Sequence, residues 1–400
     1  MASTPERDGD LKTCSADETD SLLVPPFLIG ATEYQAVSPL GAEASMRTLD
    51  RQIADFNAKI DHPLNQGLIL LKPHINNSQI RDFVRTSLLE SIDHNNDGGR
   101  ILGEQNITSD FIDKGKLVDV HYRSFARYAI HLTGGSDIDP KEFGILFAEN
   151  LNTVKKEGRI FNCLEALSGL GLTPARLGEI WNDAPYTKMK KIKDGLYCAN
   201  LLIHGKNVYV VNGFYMAMRS SYLENNVAVY VFLIEWDPHV ISWKSLRSKL
   251  TGLSLNTQIF DEDSIQYKVF EQYEKKYVDE KPDFVNNGIH MSASPLETLS
   301  ERINWCSFSN HDVSHDKYGR MLLGRGIPEG TILDWCSNAK VKVPCPDNIV
   351  GHKNQFVFDA VNGMDAKECT DKLIDIYDYE LLKTELSRKN CLSGCVCVIT

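Results

Sequence analysis

The chain has 400 residues, 42% of them apolar and 24% charged, with a formal net charge of −11. That balance suits a folded protein with a large core, and the acidic excess argues against a nucleic-acid backbone as the main partner. No window reaches the apolar length of a membrane span, and MASTPERDGD at the start carries no apolar signal core, so a cytosolic chain with reduced thiols is expected.

Residues 1–60 mix Ser, Thr, Asp, Glu and Pro without periodicity and predict a mobile tail with a short helix near 46–56. Residues 66–71 (QGLILL) predict a buried strand. Asn76 or Asn77 then caps a helix with Ile80, Phe83, Val84, Leu88 and Ile92 on one stripe. Residues 100–107 suit a second strand, and the next helix carries Leu117, His121, Tyr122 and Phe125. Within residues 126–211, helices start at Asp139-Pro140 and Thr173-Pro174, and 196–211 alternates about His204-Gly205 as a hairpin. Residues 227–236 (VAVYVFLIEW) are the strongest strand. A helix with Trp243, Leu246 and Leu250 follows and stops at Gly252. Ser294-Pro295-Leu296-Glu297 is a capping box that opens a helix with Leu299 and Ile303. Residues 306–390 predict helices near 329–336 and 371–386 and no chemistry.

The residues that suggest chemistry begin at Asn287-Gly288-Ile289-His290, just before the capped helix. Glu301 lies eleven residues past His290, where its carboxylate can return to the ring. A carboxylate on one imidazole nitrogen fixes the tautomer and leaves the other nitrogen free as a nucleophile. Asn-x-x-His, serines two and four positions later (Ser292, Ser294) and Glu301 resemble the active-site signature of nucleoside diphosphate kinases. Lys72-Pro73 after the first strand, the pair His121-Tyr122, and Arg247 with Leu250-Thr251-Gly252 after strand 227–236 resemble that family's other elements, in the family's order.

The resemblance covers 66–125 and 212–305. It implies a ferredoxin-like α/β (α+β) sandwich, with a four-stranded antiparallel sheet and helices on one face. It also implies transfer of a phosphoryl group from a nucleoside triphosphate to a diphosphate through phosphorylated His290. Lys72 and Tyr122 would meet the transferring group, and Arg247 the other phosphates, with Mg²⁺ accompanying the nucleotide and no metal site in the protein. Asn287 would touch the sugar and Lys72, while Ser292 and Glu301 orient His290. Three departures stand against the pattern. Gln266, in Ser264-Ile265-Gln266-Tyr267, replaces the arginine of Thr-Ile-Arg-Gly at a nucleotide-binding position. Met291 and Ala293 replace glycine and aspartate after the histidine. Phe214 and Tyr215 are the nearest candidates for the base-stacking aromatic. The alternative is a weak or inactive nucleotide-binding or scaffold protein.

These readings divide the chain into a tail (1–60), a kinase-like domain (61–305) interrupted by an insertion (126–211), an extension (306–386) and a tip (387–400). The insertion stands in the way of the family's hexamer, although a homo-oligomer is compatible with it. Cys397-Val398-Ile399-Thr400 fits C-a-a-X, with Cys391 and Cys395 placed as acylatable cysteines; the stretch resembles Ras-type tails. Two lipid signals hold a protein where one does not, so attachment to the cytosolic face of a membrane is expected. No G-x-x-x-x-G-K-[ST] run occurs, which excludes a Ras-like body. His311 with His315, and the basic run 188–193, read as solvated surface.

Overall fold

A computed structural model describes residues 63–93, 98–193, 195–252, 261–273, 287–306, 311–344 and 352–394; the side chains of 186, 272–273 and 383–394 are excepted. The expected tail, its helix near 46–56, Cys395, Cys397 and the side chain of Cys391 lie outside the described residues. Residues 62–400 form one compact unit. The protein is mixed α/β, and among the described residues no helix is long and apolar enough to cross a membrane.

The central sheet has the order β2-β7-β1-β8, where β1 is Asn65–Leu71, β2 Gly99–Thr108, β7 Ala228–Trp236 and β8 Ile289–Met291. Every neighbouring pair is antiparallel. Side chains alternate across a strand. Ile69, Leu71, Phe232, Ile234, Trp236, Ile289 and Met291 therefore face one layer, built from helices Ser78–Ile92, Trp243–Thr251 and Ile265–Tyr273. Leu68, Leu70, Ile107, Val229 and Val231 face the other way, onto Ile112, Leu117, Val118, Tyr222 and Trp305. Both faces are thus covered, not one as expected, because residues 109–121 and helix Pro295–Trp305 occupy the second face. A strand buried on both sides has no polar stripe, which explains the unbroken apolar run of β1.

Local chemistry sets the helix ends. Asn77 Oδ1 accepts from Ile80 N at 2.9 Å. Gly252 closes helix Trp243–Thr251 in the left-handed region (φ 60°). The single helix expected through Leu117 and Phe125 is instead broken. Lys116 (φ 52°) separates Ser109–Gly115 from Leu117–His121, and Tyr122 (φ −98°, ψ 32°) separates that from Arg123–Ala126. These breaks turn His121 and Tyr122 in different directions.

Residues 126–211 build a second sheet of order β3-β6-β5-β4 from Ile160–Asn162, Lys206–Val211, Leu196–Ile203 and Met189–Lys193. The expected β5–β6 hairpin turns through His204 (φ 50°) and Gly205 (φ 72°), as a tight I′ turn requires. The lysine-rich β4 forms the outer edge of this sheet, a placement that discourages further pairing.

Helix Pro295–Trp305 is shared. Trp305 belongs to the sheet core, whereas Leu296 and Leu299 pack with Leu322, Ile332, Trp335, Val341, Val357, Cys369 and Leu373 of the C-terminal segment. That segment contains helix Glu329–Cys336 as expected, a hairpin of β9 (Lys340–Pro344) and β10 (His352–Phe356) that the sequence reading missed, and a final helix Ala366–Gly394. It is pinned to the first strand: Asn65 Oδ1 accepts from Ala366 N at 2.8 Å, and Asn65 Nδ2 donates to Asp365 at 2.7 Å. Asp365 also accepts from Trp243 N at 2.7 Å.

Candidate functional site

His290 sits on the edge strand β8, opposite Leu70 in the register. Its neighbours Ile289 and Met291 enter the first core, so the imidazole points to the second face, toward helices Leu117–His121 and Pro295–Trp305. There His290 Nε2 meets Glu301 Oε1 at 2.7 Å. The other carboxylate oxygen accepts from Ser292 Oγ at 2.5 Å. Ser292 is fully buried, and its Oγ also lies 3.4 Å from Leu68 O. Glu301 thus has one oxygen for the ring and one for the serine that fixes it.

Glu297, one turn earlier on the same helix, also reaches the site. Ser294 Oγ accepts from Glu297 N as a cap should, but the Glu297 carboxylate accepts from Ala293 N rather than from the cap residue's own N–H. Burial and the charge of Glu301 push the Glu297 carboxyl up; burial does the same to Glu301. Burial lowers His290 to about 4, with the charges of Arg247 and Lys72 adding to the effect against the pull of Glu297. The ring is therefore neutral near pH 7, the form a nitrogen nucleophile needs. Its side chain keeps 23% of its surface exposed, enough for a ligand to approach.

His121 is the residue whose place sequence reasoning missed. Its ring stands edge-on to His290, with centroids 4.7 Å apart, and its Nδ1 is 3.5 Å from Glu301 Oε1. Trp305 Nε1 donates to that same Nδ1 at 3.2 Å, which makes Nδ1 the acceptor and places the proton on Nε2. Burial lowers His121 to about 3. His121, His290 and Glu301 present a set of donor atoms within 4.8 Å of one another. Two nitrogens and one carboxylate suit a transition metal better than Mg²⁺, which prefers oxygens, and the Trp305 N–H already occupies one donor atom. The cluster stands as a hydrogen-bond network.

Lys72 follows β1 and is buried; its N–H donates to Gly288 O at 2.9 Å, beside Asn287, and its charge reaches both imidazoles. Arg247 Nε donates to Met291 O at 3.3 Å, and its charge is felt by His290, Glu297 and Glu301. Gln266 is fully buried: its Oε1 accepts from Ile289 N at 2.9 Å and its Nε2 donates to Thr251 O at 3.2 Å. The amide braces the strand that carries His290. Tyr122 directs its hydroxyl to Tyr222 at 3.1 Å. Phe214 packs against Phe125, Trp181 and Tyr197, and Tyr215 is buried with its hydroxyl donated to Asp119, so neither is available to stack on a base.

A cavity of about 370 Å³ opens over His290 and Glu301. Tyr122, Arg123 and Arg127 line one wall, and Ser337, Asn338, Phe356, Phe358 and Asp359 of the C-terminal segment line another. That second wall had no sequence signal, since only tertiary packing brings it there. His311 and His315 pair with different carboxylates, Asp316 at 2.7 Å and Asp312 at 2.8 Å, and do not converge. No protein-family model, no curated protein and no solved structure matches the chain.

Proposed function

We propose that the chain is a phosphohistidine phosphotransferase of the nucleoside diphosphate kinase kind, with His290 as the carrier. The observation that carries this reading is the Ser292–Glu301–His290 chain of hydrogen bonds, which holds the proton on Nε2 and leaves Nδ1 as the lone-pair nitrogen. The sheet order β2-β7-β1-β8, with helices Ser78–Ile92 and Trp243–Thr251 crossing between strands, supports a ferredoxin-like sandwich within the same reading.

In this proposal Nδ1 of His290 attacks the γ-phosphorus of a nucleoside triphosphate. An N–P bond forms while the P–O bond to the β-phosphate breaks, and the diphosphate leaves with the electron pair. A terminal oxygen of a second nucleoside diphosphate then takes the group, and Nδ1 regains its lone pair. No proton moves at Nδ1, because Nε2 keeps the one it shares with Glu301. Lys72 and Arg247 bring positive charge to the transferring group, and phosphoryl transfer needs mainly such positioning and neutralisation. The carboxylates of Glu301 and Glu297 bond to Ser292, His290 and Ala293. Mg²⁺ belongs in this proposal to the nucleotide. Membrane attachment through Cys391, Cys395 and Cys397 is part of the same reading.

A second reading, nucleotide binding or scaffolding without turnover, is favoured by one observation. Gln266 stands where the family has an arginine and is spent on the main chain. Incubation of the purified protein with γ-labelled ATP and Mg²⁺ separates the two. Phosphotransfer gives an acid-labile label, absent from His290→Ala and discharged by an added nucleoside diphosphate. No label at enzyme concentrations that reveal one turnover would leave the second reading in possession.

A further inference from the structure

The cavity over His290 contains a cation with no acid to satisfy it. Arg123 lines the wall facing the His290–Glu301 pair, and among the described residues none forms a hydrogen bond or ion pair with its guanidinium. Three arginines elsewhere in this fold bond carboxylates: Arg100 with Glu235, Arg219 with Asp119, Arg302 with Asp316. Arg123 is solvent-exposed, and Cys336 and Ser337 of the C-terminal segment line the same cavity. A guanidinium that lines a cavity and bonds no acid has its donors free for the oxygens of an anion brought by a ligand.

We propose that Arg123 is the phosphate-binding guanidinium of this cavity and grips the polyphosphate of a nucleotide whose terminal phosphorus lies toward His290. This rests on the reading of the cavity as a nucleotide site. It assigns to Arg123 the charge that Gln266 lacks, from a residue outside the signature around His290. A cavity of about 370 Å³ accepts such a ligand. The planar fork of arginine suits phosphate oxygens in pairs, which a lysine does not reproduce.

The test is calorimetric titration of the full chain with inorganic tripolyphosphate, which reads binding without turnover. Arg123→Ala weakens binding roughly 10- to 100-fold, the loss expected for charge-assisted hydrogen bonds. Arg123→Lys recovers part of it. Arg176→Ala removes an equal charge from the exposed surface of the insertion and changes affinity by less than about twofold. Wild-type affinity in Arg123→Ala, an equal loss in Arg176→Ala, or no binding of tripolyphosphate by the wild type would each overturn the assignment. Arg123-dependent binding without any phosphohistidine label would sink phosphotransfer and leave this inference standing. A His290 label together with unchanged binding in Arg123→Ala would do the reverse.

Discussion

Replacing Glu301 by Gln is the sharpest perturbation of the His290 network, because it keeps shape and changes only charge and one acceptor. The carboxylate serves His290 Nε2 at 2.7 Å and Ser292 Oγ at 2.5 Å. A charge-assisted hydrogen bond contributes roughly 1.5–3 kcal/mol net and a neutral one about 0.5–1.5 kcal/mol. With the amide oxygen toward the ring, His290 therefore loses about 1–2 kcal/mol of hold, or roughly 5- to 30-fold in the rate of single-turnover labelling. Ser292 can rotate its hydroxyl to accept from the amide and donate to Leu68 O, so the fold tolerates the change. The substitution also removes the mutual repulsion of two buried carboxyls, Glu297 and Glu301. The melting temperature should shift by no more than about 4 °C. Rapid-quench labelling and a thermal melt on the same preparation give both numbers. Labelling at the wild-type rate, or a lost rate explained by a collapsed melt, would refute the reasoning.

Three further outcomes follow from the same structure. The folded-state pKa values of His290 and His121 are lowered to about 4 and about 3 from 6.5, so the unfolded chain binds more protons in between. Their contribution to stability is full above pH 6.5 and is lost as pH falls toward 4; the raised Glu297 and Glu301 act oppositely, losing stability as pH rises above 4.5. Urea midpoints between pH 4 and 6.5 should fall less with acid in His121→Asn than in wild type, and the acid limb of labelling should lie near pH 4; an inflection near 6.5 would contradict this. Gln266→Ala strands the N–H of Ile289 and the carbonyl of Thr251, at a cost of roughly 2–4 kcal/mol in denaturant unfolding. Gln266→Arg should not raise the labelling rate above wild type, because the position has no exposed surface; a gain in rate would show that the missing charge limits transfer. Cys397→Ser should move the protein from the membrane to the soluble fraction of cells, and unchanged fractionation would end the prenyl-anchor expectation.

Local signals account for what was legible. β1 and β7 announced themselves because both their faces are buried, leaving long apolar runs. Asn77, Asp139, Thr173 and Ser294 cap where their side chains can reach the next turn. Glu301 was legible as a partner of His290 because helical geometry places it back over the strand that precedes the helix. The polar β10 (HKNQF) carries no comparable pattern. His121 was visible as a residue but not as a neighbour of Glu301, since the breaks at Lys116 and Tyr122 and the contact with Trp305 that holds its ring leave no local pattern in the sequence. The cavity wall from the C-terminal segment was out of reach for the same reason. It comes from residues that reach His290 through tertiary contacts, among them a core shared with Leu296 and Leu299.

The pin between Asn65 and Ala366 joins residues 301 positions apart. Closing so long a loop is costly before its contacts reward it, so contacts of this separation form late in folding. During synthesis β1 emerges first, while the residues that fasten its outer end are not yet made. A nascent chain can assemble the sheet around His290, yet one wall of the cavity and the final fastening of the first strand wait until residues 337–366 have been made.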